Sequence, residues 1–128
     1  MIIVAIVYSQ AVINARLQGV VTELGALASM ILKAGSTTVS TIQLASPVGT
    51  VNGGVLTFTG QLLDPSAAGS GEVNTAIIQD STGATAISGL SVGIPGGSQD
   101  VIISNGLNST LITAGQTVAL LSAQITGS

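Results

Sequence analysis

Apolar residues along this chain follow two rhythms, and the change falls near residue 25. Residues 2–8, IIVAIVY, are continuously apolar and rich in β-branched side chains, the length and character of one buried strand. Ser9 follows as a good helix N-cap, because its side-chain oxygen can accept from an amide of the first turn. Ile13, Leu17, Val20, Val21 and Leu24 then recur at the spacing of one helical face. Gly25 suits the position just past a helix end. The pattern predicts one helix over about residues 9–24. Gly19 inside it costs about 1 kcal/mol relative to alanine, so the helix needs tertiary support.

Beyond Leu24 the helical spacing is lost. Short apolar or alternating runs replace it, at 28–34, 38–45, 54–60, 72–79, 84–92, 100–104, 109–113 and 116–126. Clusters of Gly, Pro, Ser and Asn separate them. DSTG at 80–83 and TAGQ at 113–116 read as tight turns, and 62–71 and 93–99 as longer loops. Many short strands at this spacing predict a mostly-β fold, a single antiparallel jelly-roll-like sandwich over residues 1–128 with one short N-terminal α-helix. No linker and no strong internal repeat divides the chain.

Composition changes this picture in one respect. Charged residues make up 5% of the 128, against about 25% in typical soluble domains. There are two cations, Arg16 and Lys33, and five acids, Glu23, Asp64, Glu72, Asp80 and Asp100, for a net charge of −3. The surface must therefore be built of neutral polar and small residues. Such a surface loses little on leaving water, and it lacks the repulsion that holds monomers apart. The reading is a protein that works against other protein surfaces. Two cations make no phosphate-binding face, so nucleic acid is not expected as a partner. Mean hydropathy is +0.74, yet MIIVAIVY is eight residues long, against about 20 for a spanning helix, and no basic residue precedes it. The segment is read as a buried strand rather than an anchor or signal, and no membrane partner is expected.

Candidate chemistry is sparse. With no histidine and no cysteine, the commonest general base, metal ligand and thiol nucleophile are missing. DSTG is one residue longer than the Asp-Thr/Ser-Gly of aspartic proteases and sits where a hairpin turn is expected. No Ser-x-x-Lys precedes Lys33, and the acids are too scattered for paired-carboxylate catalysis. Asp64 or Asp80 is conceivable as a calcium ligand, but neither lies in a dense acidic loop. NST at 108–110 matches a glycosylation sequon, a pattern common by chance. Tyr8 and Phe58, the two aromatics, lie within apolar runs and are expected in the core, which removes the usual sugar-stacking platform. No enzyme activity, cofactor or metal is expected.

SQAVINARLQGVV at 9–21 resembles the N-terminal motif of small proteins from the structural modules of tailed bacteriophages. SPVGTVNGGVLTFTG (46–60), IIQDSTGATAISGLSVG (77–93) and STLITAGQTVALLSAQITGS (109–128) follow in the order seen in that group. This chain has fewer charges and aromatics, notably AIIQDS where the group carries a Trp-Phe-Arg-like stretch. The resemblance implies a non-enzymatic virion component. The expected role is a capsid decoration or cement protein on the outer surface of the capsid, bound to the major capsid protein and to other copies of itself as a dimer or trimer. A tail, neck or fibre-associated protein is the alternative, and a carbohydrate-binding β-sandwich module a more distant one.

Arg16, the only arginine, lies on the flank of the predicted apolar stripe, about 60–80° from its centre at the 100° step of an α-helix. A flanking arginine can lay its stem over the core and present its planar fork at the boundary. The expectation is a clamp from the helix to the sandwich, through a carboxylate such as Asp80 or Asp100 or through loop or subunit-boundary carbonyls. The alternative is a solvated side chain.

Overall fold

The computed structural model describes residues 9–60, 62–104 and 109–126. The predicted strand at 2–8 and Tyr8 lie outside the described residues. Among the described residues, helix α1 (Gln10–Leu24) is followed by eleven strands. These are β1 (Ser29–Ala34), β2 (Thr37–Gln43), β3 (Gly49–Asn52), β4 (Val55–Phe58), β5 (Leu63–Asp64), β6 (Gly71–Glu72), β7 (Thr75–Gln79), β8 (Thr85–Gly93), β9 (Val101–Ile103), β10 (Leu111–Ile112) and β11 (Val118–Thr126). The result is a mostly-β, sandwich-like fold with one short helix, as the sequence predicts. Its main sheet curls into a half-barrel in the order β2-β1-β7-β8-β9-β11-β4-β3, with β5 also paired to β11 and β6 paired to β10.

The helix forms where its signals place it. Ser9 has an extended backbone and its Oγ accepts from Val12 N at 3.3 Å. Gly25, at φ 55°, ends the helix by donating to Val21 O. Leu17, Val21 and Leu24 are buried, and Ile13 and Val20 pack at the margin of the same core. That stripe lies on β3 and β4, whose inward residues Leu56 and Phe58 are buried. The start of the helix is latched to the β3–β4 turn, where Gly54 N donates to Asn14 Oδ1 at 2.8 Å. Phe58 is in the core, as expected.

Two strands lie outside the predicted runs. β3 escaped because Gly49-Thr50-Val51-Asn52 offers a single large apolar side chain and owes its strand to pairing with β4. β5 lies inside 62–71, expected as a loop, and pairs for only two residues. Among the described residues, all strand pairings but one are antiparallel. The exception corrects the antiparallel expectation: β8 and β9 run parallel, with Val92 opposite Val101 and Gly93 opposite Ile102. Parallel neighbours ordinarily need a crossover of about a dozen residues or more. Here residues 94–100 suffice because only two residues of each strand pair, and Asp100 ties the start of β9 beside Ser91 of β8.

Gly49 marks a close approach of backbones. A Cβ there would lie inside contact distance of the Thr57 carbonyl and 2.9 Å from Phe58 Cα. Gly49→Ala is expected to cost about 3 kcal/mol, since backbone must move to admit the methyl. Gly19, in the exposed helix interior with open space around it, should gain about 1 kcal/mol as alanine. Thermal melts of the two variants should shift in opposite directions, and equal shifts would contradict this packing.

Candidate functional site

The three residues singled out from sequence stand on three different elements. Arg16 is exposed on α1, which packs on β3 and β4. Asp80 caps the β7–β8 turn, its Oδ1 accepting from Thr82 N at 2.9 Å, Thr82 Oγ1 at 2.6 Å and Ala84 N at 3.2 Å. The Thr82 hydroxyl and amide, with the Ala84 amide, stabilise the charged form and hold the Asp80 carboxyl below the usual aspartate range. With its folded pKa depressed, Asp80 supports the turn at neutral pH, and that support is lost as pH falls through the lowered value. Asp100 Oδ2 accepts from Ser91 N at 3.0 Å and Ser91 Oγ at 3.1 Å, while Asp100 N donates back to Ser91 Oγ at 3.0 Å. Both carboxylates thus act in their own neighbourhoods, Asp80 on a turn and Asp100 on a strand start.

A third carboxylate has a larger structural role. Asp64 is 8% exposed, and its Oδ2 accepts from Ser40 Oγ at 2.7 Å and Thr41 N at 3.3 Å. Its Oδ1 accepts from Ser66 N at 3.1 Å. Ser40 and Thr41 belong to β2, one end of the curled sheet, whereas Asp64 belongs to β5, carried by β11. The carboxylate therefore spans the seam between β2 and β5. The sequence reading considered Asp64 only as a possible cation ligand. A carboxylate followed by Pro-Ser, with serine and threonine in a nearby strand, carries no spacing that would reveal such a bridge.

A cleft of about 260 Å³ opens on the outer side of β11. Ser122, Gln124 and Thr126 alternate along the strand and so share one face. Ile102, paired with Ser122, adds an apolar patch. Residues 97–100 form the rim, with Gly97 N donating to Ile94 O at 3.0 Å to make the turn and the Gln99 side chain folded over Gly93 and Gly97. Asp100 O accepts from Gln124 N at 3.0 Å and joins rim to strand. Among the described residues its lining has hydroxyls, carboxamides and one carboxylate, with no cation and no aromatic. The sequence signal for it was the alternation in SAQIT at 122–126, read only as strand.

No group of three or more potential metal-ligating side chains occurs among the described residues. No described helix is long and apolar enough to cross a membrane. No protein-family model, no curated protein and no solved structure matches the chain.

Two expectations follow. Asp64→Ala leaves Ser40 Oγ, Thr41 N and Ser66 N without their acceptor and should cost about 3 kcal/mol, with Ser40→Ala costing about 1. A double-mutant cycle should show a coupling of at least about 0.5 kcal/mol, and strict additivity would mean the pair does not act together. At Arg16, a forked clamp predicts that Arg16→Lys and Arg16→Ala both lower the melting temperature or impair self-association, because an ammonium cannot reproduce the fork. Parent-like melting and association in both variants would make Arg16 a solvated residue.

Proposed function

We propose that this protein is a non-enzymatic structural component that works packed against copies of itself and a larger protein lattice, and that this lattice is a bacteriophage head, the protein acting there as a decoration or cement protein. The observation that supports the assembly reading is the outer face of the sheet. Directly opposed residues of neighbouring strands share a face, so side chains can be read in rows across the ladder. One row is Thr50, Thr57 and Gln124 across β3, β4 and β11, and the next is Asn52, Val55 and Thr126. Across the other half, Gln43, Ser29, Gln79 and Thr85 form a third row over β2, β1, β7 and β8. None of these residues is charged, while Lys33 stands in a further row with Thr38, Thr75 and Ser91.

Burying these three rows against another protein strips water mostly from neutral hydroxyls and amides, which find replacement partners easily, with no ion among them to desolvate. Contacts of this kind are individually weak. A cement protein compensates by touching several neighbours at once, each contact raising the effective concentration for the next. The assignment to a phage head rather than another lattice rests on the resemblance of residues 9–21, 46–60, 77–93 and 109–128 to phage virion proteins.

In sedimentation at micromolar concentration the protein should run as a species larger than 12.5 kDa. Thr57→Glu places a charge in the middle of the neutral rows and should weaken association roughly tenfold or more without lowering the melting temperature. Binding to purified phage heads that lack their decoration protein, at a fixed ratio to the major capsid protein, tests the location. A monomer at every concentration that also leaves such heads undecorated overturns the proposal.

A further inference from the structure

We infer that the cleft on the outer side of β11 is a binding site for a neutral hexopyranose, a single sugar ring presented free or at the end of a glycan. The chemistry of the lining excludes most other ligand classes. Anionic ligands need a cation or a helix N-terminus, and the described lining residues supply neither. Flat aromatic and lipidic ligands need predominantly apolar walls, and here Ile102 is the one aliphatic side chain among the lining residues. A divalent cation needs several oxygen ligands of high charge, and Asp100 is the single carboxylate.

What remains is a neutral molecule dense in hydroxyls. Gln124 supplies a carbonyl acceptor and an amide donor, which is the pairing that a vicinal diol on a pyranose ring satisfies, while the Gln99 side chain, folded on Gly93 and Gly97, shapes the rim. Ser122 and Thr126 add hydroxyls that donate or accept as required. Asp100 is the fixed point. Its Oδ2 is held by the amide and hydroxyl of Ser91, so the carboxylate is oriented before any ligand arrives and Oδ1 is available to accept from a sugar hydroxyl in a charge-assisted bond. Ile102 offers the small apolar contact that the C–H face of a sugar takes in place of aromatic stacking.

Size and openness set the affinity. A volume of about 260 Å³ lies just below the range of about 300–1,000 Å³ in which drug-sized ligands are held, so one ring fits and an extended oligosaccharide would continue into solvent. Without an aromatic platform, and at the ligand efficiency of small polar molecules, the dissociation constant is on the order of 1 mM. The site shares Gln124 and Thr126 with the rows proposed to be covered on assembly, so it is open to a sugar in the unassembled protein.

The test is a titration of the ¹⁵N-labelled protein with glucose, galactose, mannose and N-acetylglucosamine, followed by backbone amide shifts. At least one sugar should give saturable shifts confined to Gly97, Gln99, Asp100 and Gln124 and their neighbours. Gln124→Ala should weaken that binding about tenfold and leave the melting temperature unchanged, because Gln124 is an exposed side chain. Thr57→Ala, beside Gln124 on β4 but outside the cleft, should leave the binding intact. The inference is overturned if none of the four sugars gives a saturable shift up to about 50 mM, well above the expected constant. It is equally overturned if the shifts map elsewhere or survive Gln124→Ala unchanged.

Discussion

The fold depends on one buried carboxylate. A sheet that curls into a half-barrel brings its first strand round towards its later ones without closing the hydrogen-bond ladder. At that seam β2 would present an open edge over the core, an unstable and association-prone arrangement. Asp64 closes it with a side chain, one oxygen reaching Ser40 and Thr41 on β2 and the other holding Ser66 in the bend just after β5. The segment around it continues the closure. Gly69 N donates to Val39 O at 3.1 Å across the same seam, and Ala67 is bonded to both Gln116 and Gly115 of the turn before β11. A two-residue strand and a serine-rich strap thereby seal an edge that no full strand covers.

The same logic governs the remaining carboxylates in the sheet. Where Asp64 replaces a missing strand pairing at the seam, Asp100 replaces one at the start of the short parallel β8–β9 pair, and Asp80 replaces one inside the β7–β8 turn. In each case backbone amides that would otherwise lack an acceptor find one on a side chain. Buried side-chain polar atoms among the described residues accordingly all have partners. An exposed Leu121 has a related origin. The register of β11 against β9 skips between Leu120 and Ser122, so Leu121 is the extra residue of a bulge and is turned outward, 62% exposed.

The helix and the longer strands were legible because their signals are local. Ser9, the stripe from Ile13 to Leu24, and Gly25 specify a helix within 17 residues, and the structure places it at Gln10–Leu24. Alternating runs such as those of β2 and β8 declare themselves in the same way. What escaped was non-local. β3 and β5 are strands because of their partners, and the parallel β8–β9 pair exists because Asp100 reaches a serine nine residues earlier. The bridge from Asp64 to Ser40 spans 24 residues, and neither partner's sequence neighbourhood hints at the other. The cleft was illegible for the same reason, since its rim comes from residues 97–100 and its wall from 122–126.

These placements bear on why so few ions are present at all. The chain has five acids, and three of them, Asp64, Asp80 and Asp100, are committed to bonds within the sheet. Asp64 is buried as well, so its charge is largely withdrawn from the surface. A protein under selection for solubility as a free monomer would place surplus charge outward, where it repels other copies. Here the acids are used where backbone amides need acceptors, and threonine, serine, glutamine and asparagine predominate on the outer face of the sheet, with Lys33 among them. An ion-poor exterior and ion-dependent internal closures follow from a single allocation of the same few residues, and that allocation suits a molecule whose outer face is meant to be covered.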